Sequence, residues 1–352
     1  MKVKGKHNMN VPNLRFREFE GKWLETNLGS ILKVGNGKDY RHLGKGDIPV
    51  FGTGGYMTSV NDYLYDGESV CIGRKGTINK PFYFNGKFWS VDTLFYTHSY
   101  KNVFPKFLFY VFEQINWLKY NEASGVPSLS KTTIESIEVS MPCPSEQKKI
   151  ADFLSLLDSR IETQSQIVKE LETLIKGLIH SFVRKKEGNI QLKECLNCHS
   201  STLTESAVME KNGIYPVYGA TGIIAHIPNY EIGKDAILII KDGSGVGKVQ
   251  YVKDKYSVIG TLNYLTPKEN VSLKYLYYYL QTFNFDKYKV GSGIPHIYFK
   301  DYGNEYIYCP PIEEQNKIAN FLSAIDEKLE IEKQILKNYT EQKKFLLANM
   351  FI

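Results

Sequence analysis

Apolar residues recur in alternating steps of three and four along two long stretches of the chain. The first runs through Ile150, Leu154, Leu157, Ile161, Gln164, Val168, Leu171, Ile175, Leu178 and Phe182. The second runs through Ile318, Leu322, Ile325, Leu329, Glu332, Leu336, Tyr339, Lys343, Leu346 and Met350. A seam kept over about five heptads predicts a coiled coil rather than an ordinary surface helix. Each predicted helix has ~35–38 residues, roughly 55 Å at 1.5 Å per residue. Both open on the same phrase: Glu146 to Asp158 reads EQKKIADFLSLLD, and Glu314 to Asp326 reads EQNKIANFLSAID, 168 positions later. Pro142 and Pro144 precede the first copy, Pro310 and Pro311 the second. Proline sits well at a helix start, where no intrahelical N–H bond is lost. Two unrelated bundle helices would satisfy the periodicity as well. The shared opening, and one polar seam residue at the same place in each helix (Gln164, Glu332), favour pairing of the two with each other. The seam residues expected to pair are Ile150, Leu154, Leu157, Ile161, Val168, Leu171 and Ile175 with Ile318, Leu322, Ile325, Leu329 and Leu336. In an antiparallel pair about a pseudo-twofold axis, Gln164 and Glu332 would lie near each other and help to set register.

Elsewhere the period shortens. Residues 1–13 are polar and read as irregular, and Trp23 is the anchor of the segment that follows. Residues 28–100 read as short strands between Gly-rich turns: IPVFGTGG, SVCIGRKG, PFYFNGKFW and DTLFYTHS. Pro105 to Asn116 has helical spacing. A Gly/Pro/Ser loop, ASGVPSLSK, comes next, and TIESIEVSMP reads as a strand leading into the prolines. The second part of the chain repeats this plan. Pro49-Val50-Phe51-Gly52 returns as Pro216-Val217-Tyr218-Gly219, Phe107-Leu108-Phe109-Tyr110 as Tyr275-Leu276-Tyr277-Tyr278, and Ser124-Gly125-Val126-Pro127 as Ser292-Gly293-Ile294-Pro295. The offset is 167 or 168 throughout, so the repeating unit is globule plus helix. The expected fold class is α+β: two β-rich domains joined by two long helices that pair as an antiparallel coiled coil, with a pseudo-twofold internal repeat. A repeated scaffold with diverged loops fits one task performed on two different targets.

Composition narrows the class. With 352 residues, 42% hydrophobic and 23% charged, more than one globular domain is expected. The net charge is +6, and the two helical stretches carry 14 basic and 14 acidic residues, so the surplus lies in the globules. A mild basic excess is compatible with a polyanion partner. The five cysteines make no disulfide framework for a chain of this size. Met1 to Asn13 has no apolar core of a signal peptide, and no run reaches membrane-spanning length, so the chain reads as cytoplasmic.

Two motifs invite chemistry. Cys195-Leu196-Asn197-Cys198-His199 has the spacing of c-type haem attachment, but that chemistry needs export, and zinc needs more ligands than one CxxC pair. The plainer reading is two ordinary residues at the start of the second globule. Gly243-Ser244-Gly245-Val246-Gly247-Lys248 looks like a phosphate loop but fails the nucleotide-binding pattern at both ends, with Asp242 and Val249 in place of Gly and Ser/Thr. Its counterpart is Gly73-Arg74-Lys75-Gly76. Both read as strand–turn–strand: either basic turns that approach nucleic-acid phosphates, or solvated hairpin turns. No Ser/His/Asp set, HExxH or amino-methyltransferase motif is found.

The opening LRFREFEGKW, the PVFG and GRKG turns, the SGVPSLSK loop and the doubled EQ-x-KIA-x-FLS-x-[LI]-D helix start together resemble the specificity subunit of type I restriction–modification systems. The likeness covers nearly the whole chain. It implies a first target-recognition domain at residues 11–145, a spacer helix at 146–187, a second recognition domain at 188–312 and a second spacer at 313–352. It further implies that each domain reads one half of a bipartite site in double-stranded DNA. The chain would dock two methyltransferase subunits and the restriction/translocase subunits, with no catalytic centre of its own. S-adenosylmethionine, ATP and Mg would then belong to the partners, with no cofactor or metal bound by this chain and no membrane association. The side chains expected to touch phosphate or base are Lys38, Arg41, Lys45, Arg74, Lys75 and Lys131 in the first domain and Lys241, Lys248, His296 and Lys300 in the second. Tyr56 and Tyr218 are the candidate groove or stacking contacts. Two other classes stay open: a non-DNA interaction protein with two β-rich binding domains on a coiled coil, and a specificity module of another methyltransferase-linked restriction system.

Overall fold

The structure, a computed structural model, describes residues 11–184 and 186–352. The irregular N-terminus expected at residues 1–13 therefore falls mostly outside the described residues, as does Lys185 of the first predicted helix. The chain forms two compact units: residues 1–164 with 335–352, and residues 165–334.

In the first unit, β1 (Leu24–Asn27), α1 (Leu28–Ile31) and β2 (Lys33–Asn36) lead into β3 (Lys45–Gly52), β4 (Gly55–Val60), β5 (Tyr65–Gly73), β6 (Phe82–Ser90) and β7 (Leu94–His98). Five of these strands join β2 in one sheet of order β2-β7-β5-β6-β3-β4. Central β5 is buried from Ser69 to Gly73, and its alternation divides two cores. Val70 and Ile72 face α2 (Pro105–Gln114) and Trp23, while Cys71 packs with Phe51, Phe88 and Leu94. Then come α3 (Lys131–Ser136), β8 (Glu138–Met141), which pairs with β1, and α4 (Pro144–Ile179), the first long helix. A π-helical turn, His180–Arg184, ends it.

The second unit repeats the order: β9 (Ile190–Gln191), α5 (Leu192–Cys195), β10 (Leu196–Ser200), β11 (Tyr215–Gly219), β12 (Gly222–Ile227), β13 (Ala236–Ile240), β14 (Val249–Val252), β15 (Ser257–Val258) and β16 (Leu262–Pro267). After them come α6 (Leu273–Gln281), α7 (Phe299–Tyr302), β17 (Tyr306–Ile307) and α8 (Ile312–Met350). Its sheets run β10-β16-β13-β14 and β12-β11-β15. They match the first unit's sheet except that the strand equivalent to β6 is broken between β14 and β15, where Asp254 takes a left-handed conformation (φ 67°). The parallel contact survives the break: Val50 pairs with Trp89, and Val217 with Ser257.

Each unit holds half of each long helix. In the first, Ile150, Leu154, Leu157 and Ile161 of α4 share a core with Tyr339, Leu346, Leu347 and Met350 of α8. In the second, Val168, Leu171, Ile175 and Ile179 share one with Ile318, Ala319, Leu322, Ile325 and Leu329. Early α4 thus meets late α8, and late α4 meets early α8, so the helices run antiparallel within each unit. Leu336 is half-buried, Gln164 is buried at the end of the first unit's share, and Glu332 is half-exposed in the second.

The doubled motif is explained position by position. The Gln147 side chain is 1% exposed. Its Oε1 accepts from Phe104 N–H (3.0 Å), and its Nε2 donates to Asn102 O (3.1 Å) and Pro142 O (2.9 Å). Gln315 does the same for Ser272 N–H (2.9 Å) and Pro310 O (2.7 Å). Each glutamine ties a long-helix start to the loop before α2 or α6. Glu146 is fully buried and takes two 2.7 Å bonds from Arg15. Its counterpart Glu314 meets Lys186 at 3.1 Å. Asp158 and Asp326 accept from Tyr110 and Tyr278, both at 2.7 Å, with Ser155 and Ser323 beside them.

One expected strand is shorter than the sequence suggests and begins as a helix. In TIESIEVSMP only Glu138–Met141 is strand, because Ser130 caps α3 by accepting from Thr133 N–H, and buried Ile134 and Ile137 sit one turn apart. Thr, Ile and Glu in alternation imitate a strand, and the cap decides.

Replacing Gln147 by Leu strands a buried N–H and two carbonyls and is expected to cost about 2–4 kcal/mol in urea unfolding, whereas Lys148→Ala, on the exposed side of the same turn, stays within about 0.5 kcal/mol. A second expectation concerns Lys343, a cation in the apolar seam. It lies 2.8 Å from Asp158 and 3.1 Å from Glu113. Burial pushes the ammonium down, and the bonds to Asp158 and Glu113 outweigh that and raise it. Burial raises Glu113, with Lys343 partly offsetting it. A raised lysine contributes stability below its unfolded value that is lost as pH rises through the folded one. Lys343→Met is therefore expected to cost about 2 kcal/mol near neutral pH. The loss should shrink as the pH falls and the carboxyl of Glu113, which burial raises, protonates, measured by thermal melting across pH.

Candidate nucleic-acid interface

The Gly-rich turns and the Ser/Gly/Pro loops, far apart in sequence within each half, meet in the structure. In the first unit Gly76 N–H donates to Pro127 O (2.8 Å), Leu129 N–H donates to Arg74 O (2.9 Å), and Lys75 and Ser128 form an antiparallel bridge. In the second, Gly243 N–H donates to Pro295 O (3.0 Å), Ile297 N–H donates to Lys241 O (3.0 Å), and Asp242 bridges His296. The backbones correspond residue for residue: Arg74 with Lys241, Lys75 with Asp242, Gly76 with Gly243, Ser128 with His296. Both glycines have left-handed φ, +98° and +99°. The segment between β6 and β7 supports the first turn, since Arg74 and Lys75 N–H both donate to Thr93 O (2.8 and 3.2 Å). Thr261 O plays that part for Lys241 (3.0 Å).

Several predicted residues come together at this edge of the first unit. Lys38 is tied to the end of β6, with its N–H on Ser90 O (2.7 Å) and its carbonyl accepting from Trp89 Nε1 (2.8 Å). Lys38, Arg74 and Lys75 are exposed, and Arg74 lies over the Phe95 ring at 5.8 Å. The β3–β4 turn adjoins: a Cβ at Gly76 would sit 3.7 Å from Thr53 Oγ1. Tyr56, just beyond that turn, is 64% exposed. Arg41 and Lys45 are exposed on the segment entering β3, Arg41 beside Asp39. Lys131 stands apart, near Lys33 and His98. Burial, then the charges of Lys131 and Lys33, hold the His98 imidazole below its ordinary value. Lys33 and His98 escape a sequence reading because only the β2–β7 register places them opposite each other.

The second unit presents a different set. Lys241 is half-buried, and Lys248 and Lys300 are exposed, Lys300 over the Tyr298 ring at 5.4 Å. Tyr218 occupies the place of buried Phe51. It is half-buried and packs edge-on against Tyr256 at 5.8 Å, and burial raises its phenol. The equivalence of PVFG and PVYG in the sequence already points to that core position.

Neither chemical motif assembles a cofactor site. Cys195 is buried at the end of α5, while Cys198 and His199 are neighbours on β10, where successive side chains point to opposite faces. The His199 ring stacks on Tyr264 at 4.7 Å, and Nε2 meets Thr266 Oγ1 at 2.9 Å. Among the described residues no group of three or more His, Cys, Asp and Glu could hold a metal ion. In Gly243–Lys248 three of the amides are spent within the hairpin, with Val246 donating to Gly243 O, Gly247 to Ile240 O and Lys248 to Gly245 O, and the Gly243 amide goes to Pro295 O. β14 follows directly, so no helix start is offered to a phosphate. No helix among the described residues is long and apolar enough to cross a membrane.

Residues 20–173 and 185–340 each match the family described as the type I restriction modification DNA specificity domain. The chain belongs to that family and carries two copies of its domain. It is similar to the type I restriction enzyme MjaVIII specificity subunit of Methanocaldococcus jannaschii, 23% identical over 339 residues, covering 81% of this chain and 76% of that one. It is also similar to the EcoprrI specificity subunit of Escherichia coli, 23% identical over 298 residues, covering 78% and 73%. A crystal structure of the type I restriction–modification system S subunit from M. genitalium shares the fold with a TM-score of 0.76 at 17% identity, over 97% of this chain and 99% of that one. A structure from work on complex assembly and conformational transition of a type I system has a TM-score of 0.52 at 15% identity, covering 94% and 97%.

Gly76→Ala and Gly243→Ala meet little or no steric obstruction, so backbone conformation alone should set their cost. Each is expected to lose about 1–2 kcal/mol in thermal unfolding, in contrast to Gly54→Ala, where φ is not left-handed and the loss should be near zero.

Proposed function

We propose that each unit reads one half of a split target in double-stranded DNA, and that the whole chain gives sequence specificity to partner subunits that carry the catalysis. The observation that carries this reading is the repeated turn-on-loop edge, found once in each of two family domains whose side chains differ at equivalent positions. Affinity would come from Lys and Arg on phosphates and be salt-dependent, and base identity from the few side chains that reach groove edges. The methyltransferase partner would bind S-adenosylmethionine and flip the target adenine, and the restriction/translocase partner would use ATP and Mg. This chain would bind DNA and those proteins, with no cofactor of its own. Helices α4 and α8 are each continuous and contribute to both units, which suits a spacer that fixes the gap between half-sites. A non-DNA interaction protein is the competing class, and it predicts no salt-dependent DNA binding.

The test is methylation mapping in cells that co-express the chain with a candidate methyltransferase subunit. Methyladenine at two short defined halves around a fixed run of unspecified bases is the expected result. Exchanging residues 11–145 for another recognition domain should change one half and leave the gap. Inserting four residues into α4 should change the gap and leave both halves. No new methylation from a complex that demonstrably assembles would count against the reading.

A further inference from the structure

The two turn-on-loop edges share a backbone and a cation, Arg74 or Lys241, but differ in charge at the bridge beside it. Where the first unit bridges Lys75 to Ser128, the second bridges Asp242 to His296. The substitution is paired: a cation and a hydroxyl have become a carboxylate and an imidazole on the same two strand positions. His296 Nδ1 lies 2.7 Å from Asp242 Oδ1, and the side chains are 37% and 33% exposed, so the pair is partly shielded yet still open to a ligand. The ring has room on its other side. A Cβ at Gly291 would lie 3.2 Å from His296 Cδ2, so this left-handed glycine (φ +95°) leaves room for the imidazole. The backbone of His296 is tied at both ends to Val290, N–H to O at 2.8 Å and O to N–H at 2.9 Å.

A carboxylate only accepts hydrogen bonds, so Nδ1 carries the proton that faces Asp242. In the neutral ring Nε2 is then a lone-pair acceptor in a fixed direction, and no hydrogen bond to Nε2 is formed among the described residues. The second carboxylate oxygen is an acceptor as well. Both are acceptors, and either suits the one amino hydrogen that a paired base leaves free in the major groove, on N6 of adenine or N4 of cytosine. They disfavour guanine and thymine, which offer acceptors at that edge. Arg74 and Lys75 in the first unit offer only donors and suit guanine or phosphate.

From this contrast we infer that Asp242 and His296 are a specificity-determining pair through which the second unit selects an exocyclic amino group of a base. The inference rests on the DNA-reading function proposed above. Its test is selection from random duplex DNA by the full chain at about pH 8. Every base pair carries one such amine, so the variants decide: wild type should enrich a split motif with a fixed base pair in the second half, and the strand that bears its adenine or cytosine is the one read. His296→Ala should lower the preference at that position about tenfold and leave the first half-site unchanged. His296→Gln keeps an acceptor and guards against misfolding as the cause of a loss. It should retain the preference for an amine in part. Asp242→Asn can donate to Nδ1, which moves the ring proton to Nε2, and should turn the preference toward guanine or thymine. A wild-type split motif that all three variants leave intact overturns the inference while the DNA reading stands. No enriched sequence with wild type overturns both.

Discussion

Everything in each unit hangs on a glutamine that is almost wholly out of water. Gln147 and Gln315 are 1% and 2% exposed, and each joins the first turn of a long helix to the backbone just before a short one. A buried amide with unmet hydrogen bonds would be costly, so the side chain admits one arrangement of three segments that are otherwise held by apolar contacts without direction. The neighbouring Glu146, fully buried against Arg15, adds the N-terminal segment to the same joint. Apolar burial by Ile150, Ala151 and Leu154 supplies most of the favourable energy, and the polar groups decide the angle at which the helix leaves the β-rich body. Prolines at 142, 144, 310 and 311 sharpen that exit, because the chain cannot continue the strand ladder through them.

The internal repeat makes departures from symmetry informative. Tyr110 with Asp158 and Tyr278 with Asp326 are the same bond in the two units. Beyond it the units part. In the first, Lys343 of α8 enters the seam and meets Asp158 and Glu113. In the second, the position equivalent to Lys343 is Ile175 and the position equivalent to Glu113 is Gln281. The carboxyl of Asp326 is raised by burial, with its bond to Tyr278 only partly opposing this. The acid and the cation of the first unit are thus replaced together, as expected if a buried charge is tolerated only with its partner.

The parts legible in the sequence were those written locally and twice: the helical seams, the offset of 167 or 168, the strand–turn–strand character of both Gly-rich turns and the helix from Pro105. The α3 helix was hidden because its alternation imitates a strand and only the Ser130 cap reveals the turn. The division of the chain into units was hidden too, since it cuts each long helix near its middle, where the sequence shows no break. At the candidate interface, Arg74, Lys75 and Lys248 could be picked from Gly-rich turns. The partnership of Asp242 with His296, 54 positions apart, could not, because a tertiary bridge creates it.

That difference in legibility has a physical cause. A scaffold that must fold the same way twice keeps its local signals: the buried glutamine, the tyrosine–aspartate bond, the left-handed glycine of the turn. A surface that meets a partner is free of those demands and is constrained only by what it touches. The bridge positions of Lys75 and Ser128 recur as Asp242 and His296 with the backbone bonds intact, so the charge of this bridge can change sign without disturbing the fold beneath it. In a module that has to present different chemistry to different targets, the structure needs just such a place. It is a bridge of two residues whose main chains are fixed by the loop and turn, and whose side chains carry no share of the core.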